Sequence, residues 1–171
     1  MKRLFSPWRS KYISTFQNEK PRNGESLFLR ILREKKDDKN LVIIRKSHCF
    51  VMMNLYPYNS GHLMIVPYQQ TPELSDLSVE ELSEIMETAA QMLEILKKVM
   101  KPQGFNFGAN IGRAAGAGVD DHIHFHIVPR WNGDTNFMPI LGDIKVVSED
   151  MRATFKKIKN EIKSKKMKRK Q

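Results

Sequence analysis

The stretch His122-Ile-His-Phe-His-Ile-Val128 decides how this chain is read. Five histidines occur in 171 residues, and three of them stand here at every second position. Side chains on a strand alternate between faces, so His122, His124 and His126 share one face while Ile123, Phe125 and Ile127 share the other and face a core. The alternation predicts a strand from about Asp121 to Pro129. Three uses of such a face compete. It suits a metal centre, since neutral imidazole binds zinc, copper, iron and nickel. It suits a nucleophile with assisting groups. The plain alternative is a polar strand face that happens to use histidine.

The residues just upstream bear on that choice. Gly112, Gly116 and Gly118, interleaved with Ala114, Ala115 and Ala117, make a loop of little side-chain bulk, of the kind that lets backbone N–H groups approach an anion. Asp120 and Asp121 precede the strand and do not complete a metal-ligand pattern. Phosphate chemistry needs donors around a developing charge, and imidazoles with loop amides supply them. The residues therefore favour phosphoryl or nucleotidyl transfer over a metal centre, and both remain open at this point.

Working outward, Leu41-Val-Ile-Ile-Arg, Cys49-Phe-Val-Met-Met-Asn-Leu and His62-Leu-Met-Ile-Val-Pro are β-rich runs separated by turn residues, which reads as an antiparallel meander. Ser78 followed by Glu81 is a capping box, with Leu77 and Leu82 placed as its hydrophobic staple. Leu82, Ile85, Met86, Ala89, Met92, Leu93, Leu96, Val99 and Met100 then recur at spacings of three and four, predicting a long amphipathic helix that Pro102 and Gly104 end. Residues 147–171 read as a C-terminal helix running into a basic tail, set apart from a catalytic domain over residues 1–146. The aromatic residues Phe5, Trp8, Tyr12 and Phe16 suggest that the first residues dock rather than remain disordered.

Composition narrows the function classes. The formal charge is +10, but Lys156 to Gln171 holds nine basic residues against Glu161 alone, a net +8, which leaves +2 elsewhere. The alkaline balance thus describes the tail, and charge alone does not make the body a nucleic-acid-binding domain. Cys49 is the one cysteine, so the chain alone forms neither a disulfide nor a cysteine-based zinc cluster. No apolar run approaches the ~20 residues that span a bilayer, and no membrane contact is expected. A cytoplasmic location is.

The triad strand resembles the His-x-His-x-His signature of the histidine-triad (HIT) superfamily of nucleotide hydrolases and transferases. The likeness extends from Asn54 through Gly61-His62-Leu-Met-Ile-Val-Pro and on through Val128-Pro-Arg-Trp-Asn-Gly-Asp-Thr-Asn-Phe-Met-Pro, which is similar to the diadenosine polyphosphate phosphorylase and hydrolase branch. The resemblance implies an α+β fold with a five-stranded antiparallel sheet, a homodimer, no cofactor, and a nucleotide bound at the histidine strand. It implies that His124 is the nucleophile attacking the α-phosphorus, that His122 holds its orientation, and that His126 donates to a phosphate oxygen. It further implies that His62 supports the first triad histidine. Asn54 would meet the ribose, Leu27, Phe28 and Ile31 would flank the base, and Met64 would also contact the nucleotide. Asn110, Gly116, Ala117, Gly118 and Trp131 would also contact the nucleotide, Asn110 and Trp131 resembling positions of the phosphorylase-type branch, with Arg113 near the phosphate path.

Two departures from the family pattern stand out. Where many bacterial relatives carry Cys-x-x-Cys and a further histidine as ligands of a structural zinc completed by the first triad histidine, this chain has Ser26, Leu29 and Gln70. Zinc is therefore not expected, and apolar packing of Leu29 is expected in its place. Gly118 stands where related branches carry a serine or glutamine donor, leaving backbone N–H groups. The function so implied is cleavage of a dinucleoside polyphosphate, with diadenosine tetraphosphate as the expected substrate. It proceeds through a histidine-nucleotidyl intermediate discharged to phosphate or water. The alternatives are a non-enzymatic nucleotide-binding module whose tail recruits RNA or an acidic partner, and a metal enzyme using the three histidines as ligands.

Overall fold

A computed structural model describes residues 24–134 and 150–168. The aromatic residues at 5, 8, 12 and 16, the end of the Trp131 segment from residue 135 to 139, and the last three residues lie outside that range. Helix α1 (Leu27–Glu34) leads into strands β1 (Val42–Arg45), β2 (Cys49–Met53) and β3 (Leu63–Pro67). Helix α2 (Val79–Met100), strands β4 (Gly104–Ala109) and β5 (Phe125–Arg130), and helix α3 (Met151–Lys168) follow. The sheet is antiparallel, with strand order β1-β2-β3-β5-β4. The meander is as the residues predict, and the five-stranded α+β architecture is as the resemblance implies.

Strand parity divides the molecule into two layers. On one face Ile43, Val51, Met53, Leu63, Ile65, Ile123, Phe125 and Ile127 pack under α2 and α3, against Ile85, Met92, Ile95, Leu96, Phe155 and Ile158. On the other face Val42, Phe50, Met52, Met64 and Val66 form a smaller cluster with Phe28 of α1. Met64 pairs with His126 across β3 and β5, so the histidine face lies on the α1 side. The alternation of the sequence has become the division between a core and a site.

Helix α2 starts as its sequence dictates. The Ser78 hydroxyl accepts from the Glu81 N–H while the Glu81 carboxylate accepts from the Ser78 N–H, and Leu77 and Leu82 join the same apolar cluster. Lys101 ends the helix in the left-handed conformation. Glu84 ties α2 to the hairpin between β1 and β2, its carboxylate accepting from the N–H groups of Ser47, His48 and Cys49 at 3.1, 2.5 and 3.2 Å. Partial burial acts to raise its pKa, but those three donors prevail and hold it below the usual carboxylate range.

Part of the basic C-terminal segment belongs to the core. Phe155, Ile158 and Ile162 are buried beneath the sheet, and Glu161 and Lys159 pair with Lys98 and Asp38 at 2.7 and 2.6 Å. Deleting residues 156–171 would therefore open the core as well as remove charge, so it cannot isolate what the charge does. Cys49 is also a core residue, and burial pushes its thiol up to about 11. No helix among the described residues is long and apolar enough to cross a membrane.

Candidate active site

The regular strand β5 begins at Phe125, later than the alternation predicts, so His122 and His124 lie on the segment that leads into it. The reason is a loss of neighbours: β4 ends opposite Phe125, at Ala109, before the Gly/Ala loop. The segment is held instead by the Ile123 N–H donating to the Thr71 carbonyl at 2.7 Å. His122, His124 and His126 are nonetheless all buried, on the face predicted for them.

Hydrogen bonds assign the tautomers, starting from donors and acceptors whose identity is fixed. His124 Nδ1 lies 2.9 Å from the carbonyl of His122. A carbonyl only accepts, so the proton is on Nδ1 and the lone pair of a neutral ring is on Nε2. His122 Nε2 lies 2.9 Å from the Pro67 carbonyl and carries its proton there, leaving Nδ1 to accept from the Ser26 hydroxyl at 2.6 Å. His62 Nδ1 accepts from the Tyr58 N–H at 3.0 Å. Its proton is therefore on Nε2, which donates to His126 Nδ1 at 2.9 Å. A neutral His126 then holds its proton on Nε2.

This relay corrects one expectation. His62 supports His126, the last histidine of the triad, and not His122, the first. With Met64 opposite His126, the antiparallel register sets position 62 opposite 128 and position 122 opposite 68. At about 3.3 Å per residue, His62 and His122 are at opposite ends of the pairing. Tyr58 completes the group, its ring 4.7 Å from that of His62 and 5.6 Å from that of His126, with the Asn110 amide donating to its hydroxyl at 3.2 Å. In the sequence Tyr58 stands among turn residues between two β-rich runs, and the one signal for it is an aromatic residue four positions before His62.

Burial is the largest influence on both His122 and His124 and lowers their pKa values below the ordinary histidine value. The carbonyls of Pro67 and His122, and for His122 the charge of Asp121, act the other way. Both rings are thus neutral at pH 7. Phe28 contributes to that burial, its ring 5.3 Å from His122 and 5.0 Å from His124. A neutral, oriented imidazole with its Nε2 lone pair directed away from its main-chain anchor is a competent nucleophile.

The other predicted residues divide into those beside the histidines and those held by local structure. Ile31 packs with Phe28 and Met64 in the cluster on the site face, and Leu27 is half-buried at the start of α1. Asn54 is buried, its amide oxygen accepting from the Tyr56 N–H at 2.9 Å and its amide nitrogen 3.4 Å from His62 Nδ1. Asp134 anchors the Trp131 segment, accepting from the Trp131 N–H and from the guanidinium of Arg130. The Gly/Ala loop forms a short 3-10 turn at Arg113–Ala115. Its amides are less available than its composition suggests, because those of Ala115, Gly116 and Ala117 donate to carbonyls of Gly112 and Arg113. Arg113 pairs with Asp120.

The positions compared with zinc ligands form a hydrogen-bonded cluster. Ser26 accepts from the Leu29 N–H and donates to His122, while Gln70 accepts from the Ser26 N–H at 3.0 Å and donates to the Gly24 carbonyl and Asp121. These groups do not fit zinc, which takes thiolate, imidazole or carboxylate: a hydroxyl, an alkyl chain and an amide stand at the three positions, and the hydroxyl and the amide already have hydrogen-bond partners. The expectation that Leu29 packs in place of a metal is corrected accordingly, since Leu29 is half-buried and its contribution is its N–H. Among the described residues no three His, Cys, Asp or Glu are grouped to hold a metal ion.

Comparison with known proteins agrees with this geometry. The chain is 38% identical over 157 residues to a protein of Mycobacterium tuberculosis named AP-4-A phosphorylase, a match spanning 90% of this chain and 80% of that protein. It is 31% identical over 93 residues to the asymmetrical bis(5'-nucleosyl)-tetraphosphatase of Schizosaccharomyces pombe, covering 54% of this chain and 50% of that one. The fold matches a zinc-bound histidine triad family protein of Mycobacterium smegmatis with a TM-score of 0.67 at 20% identity, over 84% of this chain and 96% of that one. It also matches Plasmodium falciparum diadenosine triphosphate hydrolase, with a TM-score of 0.59 at 26% identity, over 74% and 79%. Residues 35–133, more than half the chain and including His62 and the whole triad, match the HIT domain, and the chain belongs to that family.

Proposed function

We propose that the protein cleaves diadenosine tetraphosphate by nucleotidyl transfer through His124 and that inorganic phosphate is the second acceptor. The observation that carries this reading is the His124 Nδ1–H bond to the His122 carbonyl, which leaves the Nε2 lone pair for attack. In the first step Nε2 attacks the α-phosphorus, the bond to the bridging oxygen breaks, and ATP leaves while the adenylate remains on His124. In the second, a phosphate oxygen attacks the same phosphorus, the N–P bond breaks, and ADP leaves with the ring again neutral. His126, protonated on Nε2 through the His62 relay, donates to the phosphate whose charge develops.

Binding follows the same face. Leu27, Ile31 and Met64 contact the base, and Phe28 backs the two histidine rings. Asn54 meets the ribose, and Asn110, Trp131 and the segment from Gly116 to Gly118 lie along the polyphosphate. Phosphate is favoured over water as acceptor by the relative named a phosphorylase, whose likeness spans 90% of this chain. A homodimer paired along β4 accords with the position of β4 at the sheet edge and with the exposed Phe107 on it. Light scattering checks the dimer.

The deciding experiment is the nucleotide product profile from diadenosine tetraphosphate with and without inorganic phosphate. ADP and ATP, formed only when phosphate is present, is the expected result. AMP and ATP in both conditions would replace phosphorolysis with hydrolysis, and no product in either would overturn the assignment. His124→Asn should abolish transfer while leaving nucleotide affinity nearly unchanged.

A further inference from the structure

We infer that Ser26 is a positioning residue for the His124 nucleophile, coupling the start of α1 to the triad by one hydroxyl. The inference rests on the reading of His124 as the attacking group. Ser26 is buried, and its Oγ serves two elements at once. It accepts from the Leu29 N–H as the N-cap of α1 and donates to His122 Nδ1 at 2.6 Å. His122 is then held on both ring nitrogens, by Ser26 and by the Pro67 carbonyl. The backbone of that clamped residue supplies the carbonyl that takes the His124 Nδ1–H. The orientation of the nucleophile therefore traces back through His122 to Ser26.

Two further contacts make the coupling specific. Phe28 lies on the first turn of the helix that Ser26 caps, and its ring packs on both His122 and His124. Gln70 accepts the Ser26 N–H and reaches the Gly24 carbonyl on one side and Asp121, next to His122, on the other. The hydroxyl and amide thus do by hydrogen bonding what the site's donors cannot do by binding zinc: they fix the chain before α1 to the segment before β5. The hydroxyl at position 26 is uncharged, whereas a carboxylate in its place would draw a proton onto His122 Nδ1.

The test separates helix capping from positioning. Glycine caps a helix almost as well as serine but lacks the hydroxyl, and threonine keeps the hydroxyl. Ser26→Gly and Ser26→Thr are compared in the full-length protein, at matched folded fraction by circular dichroism. The readouts are steady-state turnover of diadenosine tetraphosphate and nitrogen-15 spectra of the imidazoles. Loss of an outer hydrogen-bond partner costs about 10–100-fold in activity, so S26G should lower kcat by that factor. KM should stay within about threefold, as when a positioning contact and not substrate binding is removed. S26T should retain both. His124 should be a single tautomer protonated on Nδ1 in the wild type and in S26T, and a mixture in S26G. An unchanged kcat in S26G, or an unchanged His124 tautomer, would overturn the inference. Should the wild-type protein not turn over this substrate, the proposed function fails, and the tautomer spectra still decide whether Ser26 positions His124.

Discussion

Acid stability follows from the two neutral histidines and their burial. His122 and His124 have pKa values lowered in the fold by burial, with carbonyl hydrogen bonds opposing, against about 6.5 in the unfolded chain. As pH falls below that value the unfolded chain takes up protons on both residues while the fold does not, so stability present above pH ~6.5 is lost on acidification. Each proton contributes a slope of about 1.4 kcal/mol per pH unit. Two give roughly 2.8 kcal/mol per unit, continuing until the pH reaches the lowered values. Against a total stability of about 5–15 kcal/mol, one pH unit is a large fraction. Urea unfolding at half-unit steps from pH 8 to 5 measures the slope, and His122→Asn with His124→Asn isolates it, because the remaining histidines and the carboxylates are common to both proteins. The wild-type slope should exceed that of the double variant as the pH falls through 6.5, by at most about one proton at pH 6.5, where the two unfolded rings are half protonated. Parallel curves would refute the claim that these rings are held neutral by burial.

Three other perturbations test the fold around the site. Gly61 has φ 75°, and a Cβ there would lie 2.4 Å from Met100 Sδ and 3.2 Å from Pro129 Cγ. Gly61→Ala should cost about 2–4 kcal/mol from the left-handed backbone and overpacking together, read as a fall in the urea midpoint with the m-value unchanged. Ile158→Ala, in a fully buried position of α3, should cost about 2–4 kcal/mol, whereas Lys156→Glu should change stability by less than about 0.5 kcal/mol; equal effects would mean that α3 is not docked. Glu84→Gln keeps one acceptor for three backbone donors and should cost about 1 kcal/mol at pH 7. Because the folded pKa of Glu84 is lowered, that difference should begin to shrink as pH falls through the unfolded carboxylate value near 4.3 and vanish only below the lowered folded value, which unfolding at pH 3 and 7 checks.

What the sequence carries most clearly is periodicity. The two-residue alternation of His122 to Ile127 places three imidazoles on one face and three apolar side chains on the core. Ser78 and Glu81 mark the start of α2 because both partners of a capping box lie within one turn. Partners set by tertiary register are not legible in this way. That His62 meets His126 depends on Met64 pairing with His126, and no local pattern fixes a register between residues 64 positions apart. The Gly/Ala loop shows a related limit. Its composition indicates close backbone approach, but whether its amides face a ligand or one another depends on the dihedral angles, and a 3-10 turn directs three of them inward. Ser26 and Gln70 are visible in the sequence only as positions where metal ligands are missing. Their hydrogen bonds to each other and to His122 require the fold.

The way the nucleophile is anchored agrees with the chemistry it is assigned. In a triad where histidine acts as a base, a carboxylate behind the ring stabilises the imidazolium that forms. Here the groups behind His124 and His122 are main-chain carbonyls, which orient a ring without a full negative charge. A carboxylate at that place would raise the pKa of His124 and commit its lone pair to a proton as the pH falls. Burial against Phe28 does the reverse, and the lone pair stays available at pH 7. The same burial destabilises the cationic phosphoramidate that forms when Nε2 attacks phosphorus, so that adduct is a better leaving group toward the second acceptor than it would be in water. A nucleophile that must attack and then leave is thus served better by a carbonyl and an aromatic wall than by an acidic partner.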